Sequence, residues 1–381
     1  MSSKRIGLML DSLVGGGAER ITLNFADKFA KLGHDVHIFV IAKDVHHKID
    51  NDAYLIHFLS NDGKVYNNRF LNKRVLANKL QKLVRDIEED GKKFDFFISS
   101  AEDSDRLSKI AKLKNVYIRY RNSMLHYINH KIGQKGPTKT KIRRFRWFTK
   151  FRRIYNNRNI ITVSKALIEE ITKEVGVKPK SIVNIYNPFD FDRIRHLGSL
   201  YDSDIPNEPY IVYVAKLENR KRQDLLLQAF AKAKPKRKLV LIGDSYTASD
   251  KRWEKHLHEL TQSLKIAEQV IFTGFKPNPY PWIKNADLFA MASDSEGLPT
   301  VLIESFILGT PVVSTDCPTG PSEILTGNLA KYLSPIDDID ALAQNITAAL
   351  HEYPSIEEKM LTQFSADYSI QRYLEHCCKE A

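Results

Sequence analysis

The sequence predicts an α/β protein of two doubly wound, Rossmann-like domains. Three observations predict it. Short apolar runs that read as buried strands alternate with helical apolar patterns along most of the 381 residues, which is the pattern of parallel sheets covered by helices. The length favours two domains over one. Charge also divides the chain. Residues 1–190 carry 37 Lys/Arg against 20 Asp/Glu, a net of +17, and residues 191–381 carry 21 against 26, a net of −5.

The N-terminal half opens on a buried run, Arg5 to Leu10. Gly15-Gly16-Gly17-Ala18-Glu19-Arg20 follows, then a helix carried by Ile21, Leu23, Phe25, Ala26, Phe29 and Leu32 and ended by Gly33. Val36 to Ile41 is the next strand. Strand, glycine loop, helix and strand make a right-handed βαβ unit. The loop is no dinucleotide fingerprint, which needs G-x-G-x-x-G, but three glycines let a ligand approach the backbone closely. Phe94–Ser99, Val116–Arg119 and Ile160–Val163 read as further strands. Arg119, Arg121 and Asn122 then stand at a strand's carboxyl end, where open parallel sheets place ligands.

Between Asp105 and Glu169 there are 18 basic residues and no acidic one. On a helix, Lys139, Arg143, Arg146, Lys150 and Arg153 form a stripe about 80° wide. Phe145, Phe148, Phe151 and Tyr155 form a second stripe roughly opposite, and Arg144 and Arg152 edge it. Such a helix suits an anionic bilayer surface. The alternatives are a packed helix with a basic solvent face, and a nucleic-acid surface, for which no recognition motif is present.

Residues 191–209 are polar, with Pro206 and Pro209, and read as a linker. The expected domains are 1–190 and 210–360, with a C-terminal helix in 361–381. In the second domain Tyr210–Ala215 is a strand, 216–222 a basic loop and Asp224–Ala233 a helix. Strands follow at Lys238–Asp244, Val270–Phe275, Ala286–Ala292 and Pro311–Thr315, with a helix from Trp253 to Leu264. After the strand Ala286–Ala292, the stretch from Ser293 to Ser305 reads as a glycine-containing loop and helix start, with Pro299 in the helix's first turn. Open N–H groups and the helix dipole at such a point favour an anion. Glu296 lies at its mouth and Glu304 about one turn in, placed to accept hydroxyls on either side of a phosphate. Solvated carboxylates are the alternative. Lys216 and Lys221 are candidates to neutralise a diphosphate, and Gly274 and Phe275 to offer backbone groups to a base.

Composition narrows the classes. Cys317, Cys377 and Cys378 give neither a disulfide framework nor metal spacing, as expected of a reducing cytoplasm. No apolar run reaches membrane-span length, and the start of the chain reads as a strand rather than a signal peptide. Asp190-Phe191-Asp192 spells D-x-D, but in the expected linker.

The second half closely resembles the retaining glycosyltransferases of family 4 (group 1). The matching residues are Val214–Leu217, Lys221 with Gln223–Leu227, Leu241–Asp244, Phe272–Gly274, Asn285–Phe289, Ser295–Pro299 with Glu304, and Gly309–Val313. The first half matches more thinly, at Gly15–Arg20, Gly33-His34, Val163-Ser164 and Asn187-Pro188. The resemblance implies the GT-B fold, two Rossmann-like domains facing across a cleft, with the last helices crossing back to the first domain. It implies that Lys216 and Lys221 hold a donor diphosphate and that Glu304 binds ribose. It also implies that Glu296 and the backbone of Gly297, Leu298, Pro299 and Thr300 hold sugar and phosphate, and that Gly16 and Gly17 approach the diphosphate. Position 216, usually arginine in such proteins, is lysine here, so the charge is kept and the bidentate fork lost.

The implied reaction is transfer of a hexose-type sugar, with retained configuration, from a nucleotide sugar such as a UDP-sugar to an acceptor hydroxyl. Glu296, Lys221 and Lys216 would be the catalytic groups, with no metal and no resident cofactor. The basic first domain suits a lipid-linked saccharide acceptor of a bacterial surface polymer such as lipopolysaccharide, at the cytoplasmic face of the inner membrane. The competing readings are a sugar-nucleotide epimerase of the same fold and an inactive relative that tethers a partner to the membrane.

Overall fold

The computed structural model describes residues 2–13, 17–42, 53–60, 70–132 and 137–378. The chain divides into two compact units, Met1–Phe189 with Phe364–Ala381, and Asp190–Gln363. The first unit holds β1 (Arg5–Leu10), α1 (Gly17–Lys31), β2 (Asp35–Ala42), β3 (Leu55–Ser60), α2 (Phe70–Ile87), β4 (Phe96–Ser99) and α3 (Glu102–Ile110). It continues with β5 (Val116–Tyr120), α4 (Met124–Ile132), α5 (Pro137–Tyr155), β6 (Asn159–Thr162), α6 (Ala166–Glu169) and β7 (Ser181–Asn184). The second unit runs α7 (Phe191–Gly198), β8 (Tyr210–Val214), α8 (Gln223–Ala233), β9 (Lys238–Ile242), α9 (Ala248–Ser263), β10 (Val270–Gly274) and α10 (Tyr280–Lys284). Then come β11 (Leu288–Met291), α11 (Thr300–Ile307), β12 (Val312–Thr315), α12 (Pro321–Ile324), β13 (Leu333–Ser334), α13 (Ile339–His351) and α14 (Glu358–Leu361). The last helix, α15 (Ala366–Cys378), returns to the first unit.

Both sheets are parallel throughout the described strands. The first has the order β3-β2-β1-β4-β5-β6-β7 and the second β10-β9-β8-β11-β12-β13. Each order grows outward one way and then restarts on the other side of its first strand. The reversal lies between β1 and β4 in one sheet and between β8 and β11 in the other. At such a switch point the loops leaving the carboxyl ends diverge and open a crevice.

The core follows the sequence pattern. β1 is buried throughout, and Phe25, Ala26 and Phe29 of α1 cover its sheet. Leu32, expected on that face, is 58% exposed because α1 ends at Lys31. Ile370, Tyr373, Leu374 and Cys377 of α15 recur at helical spacing and join the same core, with Tyr373 edge-on to Phe25 at 4.7 Å. The two chain segments that leave this unit are paired. Phe189 N–H donates to the Phe364 carbonyl at 3.0 Å, and Ala366 N–H donates to the Phe189 carbonyl at 2.9 Å.

The expected linker 191–209 is corrected. It begins with α7, which belongs to the second unit and packs on α10 and α11. Asp190 caps this helix, accepting the Arg193 N–H at 3.1 Å, so the first aspartate of the D-x-D string has a local structural task. Polar composition concealed a helix whose buried face is short, Ile194 and Gly198. The sequence reading also missed β3, α2 and β7.

One buried acid in the first unit sets a pH dependence. Asp105 accepts the Ser99 hydroxyl at 2.6 Å and the Tyr155 hydroxyl at 3.1 Å. Burial pushes its carboxyl up to about 7, against these hydrogen bonds. A carboxyl raised on folding contributes stability below its unfolded value, and that contribution is lost as pH rises through the folded value. Asp105→Asn removes the dependence. Its stability relative to wild type is expected to improve by about 2–3 kcal/mol between pH 5 and pH 8. Urea melts at the two pH values measure it, and equal slopes for both proteins would refute it.

Candidate functional site

Lys216, Lys221 and Glu296 gather at the second unit's switch point, whereas Gly274 ends β10, an edge strand of the sheet, with Phe275 after it. Lys216 follows β8 and Glu296 follows β11, the two strands that flank the reversal. The turn after β8 carries a short 3₁₀ segment, Asn219–Lys221, closed by Arg222 in the left-handed region at φ 49°. That geometry folds the turn back over the loop after β11. Asp294 N–H donates to the Arg220 carbonyl at 3.0 Å. The Tyr213 hydroxyl of β8 donates to the Lys221 carbonyl at 3.0 Å and lies 2.9 Å from the Ser293 hydroxyl.

Lys221 Nζ donates to Glu296 Oε1 at 2.6 Å, and Arg220 Nη1 lies 3.5 Å from Glu296 Oε2. The Glu296 side chain is 11% exposed. Burial pushes its carboxyl up, but the charges of Lys221 and Arg220 outweigh that and hold it below the usual glutamate range. Lys216 Nζ lies 2.8 Å from Asp250 Oδ2 and 3.4 Å from Glu218 Oε2. Desolvation lowers the Lys216 ammonium, and these carboxylates raise it further than that. The loop thus presents fixed, ionised groups.

The Gly297-Leu298-Pro299 segment is buried beside them. Pro299 is corrected by one position. It precedes α11, with its carbonyl accepting the Leu302 N–H at 3.1 Å, and Thr300 is the first helical residue. Gly320 closes over this segment at φ 100°, where a Cβ would stand 2.4 Å from Pro299 Cδ, so the loop's shape depends on a glycine there. Glu304 is buried, and the Tyr280 hydroxyl donates to its Oε1 at 3.0 Å. At the end of β10 the Gly274 carbonyl accepts the Gly243 N–H at 2.9 Å, and the Phe275 side chain is 61% exposed.

The structure therefore joins Lys216, Lys221 and Glu296 into one charged group and gives Glu304 a separate anchor. Sequence reasoning missed Glu218, Arg220, Asp250, Tyr213 and Tyr280. Arg220 and Glu218 lay inside the basic loop already singled out. Asp250 and Tyr280 left no local signal, because their partners are far away in sequence.

In the first unit, Gly16 lies outside the described residues and Gly17 begins α1. Arg119 is corrected. It lies within β5, is 3% exposed, hydrogen-bonds the Asn187 side chain and sits over the Phe25 ring. Its guanidinium faces the core because β-strand alternation puts it on the α1 side with Tyr117. Arg121 is partly exposed and Asn122 exposed. Asp11, missed by the sequence reading, follows β1 at the first sheet's reversal and accepts the Ser104 N–H and hydroxyl at 2.8 and 2.6 Å.

Helix α5 is less symmetric than its two stripes. Phe151 and Tyr155 are buried, whereas Ile142 and Phe145 are 58% and 67% exposed. Lys150, expected in the outer stripe, turns inward to Glu102 at 3.5 Å and over the Trp147 ring. Arg143, Arg146 and Arg153 are exposed, as are Lys141 and Arg144, and the Lys139 side chain lies outside the described part. Among the described side chains, Ile142 and Phe145 are exposed alongside Lys141, Arg143, Arg144 and Arg146 in the part of the helix before Trp147.

Two parallel Rossmann-like units, with charged groups concentrated at a switch point, define the class of the GT-B proteins. A family model described as Glycosyltransferase Family 4 matches residues 15–193, and one described as Glycosyl transferases group 1 matches residues 202–365. The chain belongs to the family 4 (group 1) glycosyltransferases. It is 26% identical over 355 residues to the N-acetylgalactosamine-N,N'-diacetylbacillosaminyl-diphospho-undecaprenol 4-alpha-N-acetylgalactosaminyltransferase of Campylobacter jejuni, covering 92% of this chain and 91% of that protein. Among solved structures, a glycosyltransferase from Rickettsia africae aligns with TM-score 0.75 at 17% identity, over 100% of this chain and 99% of that one. Anabaena Alr3699/HepE in complex with UDP aligns with TM-score 0.74 at 18% identity, over 99% and 100%.

Proposed function

We propose that this glycosyltransferase moves a hexose-type sugar, with retained anomeric configuration, from a nucleoside diphosphate to a lipid-linked saccharide of a bacterial surface polymer such as lipopolysaccharide. UDP is the first nucleotide to try. The observation that carries the donor half is the ionised Lys221–Glu296 contact at the second unit's switch point, next to the start of α11. The lipid-linked acceptor is supported by the near full-length match to the Campylobacter enzyme, whose name states a diphospho-undecaprenol-linked saccharide.

In this reading the second unit binds donor and the first binds acceptor. The donor phosphates take the open N–H groups at the start of α11, with the backbone of Gly297 to Thr300 around them. Glu304 accepts ribose hydroxyls and Glu296 a hydroxyl of the transferred sugar. Lys216 and Lys221 stabilise the charge that builds on the leaving diphosphate. The acceptor oxygen bonds the anomeric carbon on the face from which the phosphate oxygen departs, and that phosphate takes the acceptor's proton. The reaction needs no resident metal or cofactor. The enzyme sits peripherally at the cytoplasmic face of a membrane. Among the described residues no helix is long and apolar enough to cross one, and the net of +17 over residues 1–190 favours an anionic surface.

Incubation with a panel of UDP-, GDP- and ADP-sugars, with and without lipid-linked saccharide, tests the reading through released nucleotide. Release that depends on acceptor supports transfer, and release without acceptor favours an epimerase. With the nucleotide identified, Glu304→Ala is expected to weaken its binding about 10–100-fold, because hydrogen bonds to a charged acceptor are each worth about 1.5–3 kcal/mol. Unchanged affinity by calorimetry would remove Glu304 from the ribose site.

A further inference from the structure

Six side chains of alternating sign run through the donor loop. Asp250 holds Lys216, Lys216 reaches Glu218, and Glu218 Oε1 accepts from Arg220 Nη2 at 2.8 Å. Arg220 then meets Glu296, and Glu296 meets Lys221. Consecutive residues of one tight turn therefore place two cations on the two oxygens of a single carboxylate. Their attachments differ. The Arg220 guanidinium also donates to the Ser295 carbonyl, beside Glu296 in the chain. Its Nη1 faces both the Glu296 carboxylate and the Ser295 carbonyl while Nη2 holds Glu218, a spread of contacts that the single nitrogen of a lysine does not reproduce. The Lys221 ammonium has Glu296 as its partner.

A nearly buried carboxylate stripped of its cations is strongly disfavoured. A lysine that must serve both Glu296 and a donor phosphate faces that problem whenever it turns to the phosphate. We propose that Arg220 is a positioning residue that fixes the Glu296 carboxylate and keeps it ionised, so that Lys221 can exchange Glu296 for a donor phosphate. The inference rests on the nucleotide-sugar reading above. Arg220 acts through Glu296 and Lys221, and it returns a guanidinium to a loop whose position 216 is lysine.

The other groups facing Glu296 leave the balance to these two cations. Tyr213 from β8 is pushed far up by burial, and so is the Cys317 thiol after β12. Both are neutral at working pH. Arg220 is itself lowered by desolvation and raised further by Glu296 and Glu218, so it stays charged.

The test compares full-length wild type, Arg220→Gln and Arg220→Lys, with UDP affinity measured by calorimetry and sugar transfer measured from pH 4.5 to 8.5. Arg220→Gln is expected to weaken UDP binding about tenfold or more at pH 7 and to move the acid limb of kcat/KM up by about one pH unit. Arg220→Lys is expected to restore the acid limb while leaving affinity reduced, since it keeps the charge and loses the fork. An unmoved acid limb in Arg220→Gln, or indistinguishable Gln and Lys variants, overturns the inference and assigns Arg220 to folding alone. Wild type that binds no UDP, GDP or ADP and transfers no sugar overturns the nucleotide-sugar reading and this inference with it.

Discussion

Replacing Lys221 with methionine is expected to lower kcat/KM for sugar transfer by about 10²–10³-fold, the loss typical of one preorganised group at a developing negative charge. The same change leaves Glu296 one charged partner among the described residues, Arg220 at 3.5 Å, besides the Ser293 hydroxyl. Removing one partner of a buried pair costs about 3–5 kcal/mol, less for a pair that keeps a second cation and some solvent. Activity and stability must therefore be read separately. The double variant Lys221→Met/Glu296→Gln is expected to regain most of the lost stability in thermal melts, because no unpaired charge remains. It is not expected to regain transfer. A double variant with activity restored, or Lys221→Met within threefold of wild type, would show that the ammonium serves the fold and not the donor.

Reversing Lys141, Arg143, Arg144 and Arg146 to glutamate is expected to reduce binding to vesicles of anionic lipid by at least about 10³-fold, since each basic residue at such a surface contributes about 1 kcal/mol. These four side chains are exposed in the same stretch of helix as Phe145, itself 67% exposed. Phe145→Ser should weaken binding further by about 1.5–3 kcal/mol if the ring enters the interface. Binding should also fall with added salt. Lys150→Glu is the control. Its partner is Glu102 within the same unit, so it should lower stability and spare vesicle binding. Retained flotation by the fourfold variant, or equal binding to neutral vesicles, would return α5 to an ordinary packed helix with a basic solvent face.

The Lys150–Glu102 contact shows why helical spacing alone misplaced Lys150. The 100° rotation per residue fixed which side chains share a stripe on α5. It carried no information about where the helix meets its unit, and Phe151 and Tyr155 are covered while Phe145 is not. Arg119 is a similar case. Its place near a strand's carboxyl end was legible, but the side of the sheet it faces depends on α1 and α15 closing over it.

By itself the sequence determined the alternation of strands and helices and the switch-point loops that carry Lys216, Lys221 and Glu296, with Glu304 on the helix that follows. These are encoded locally, by apolar periodicity, glycines and the order of short motifs. Tertiary structure alone decided the pairings. Lys221 reaches Glu296 across 75 residues of sequence, and Tyr280 reaches Glu304 across 24. It also decided which side chains of α15, a helix that the family resemblance already returned to the first unit, enter that unit's core, and that Arg220 lies beside the second oxygen of Glu296. The physical reason is that an ion pair or a core contact depends on where two elements stop in space. Local pattern sets each element's faces, and only the packed sheet order sets which faces meet.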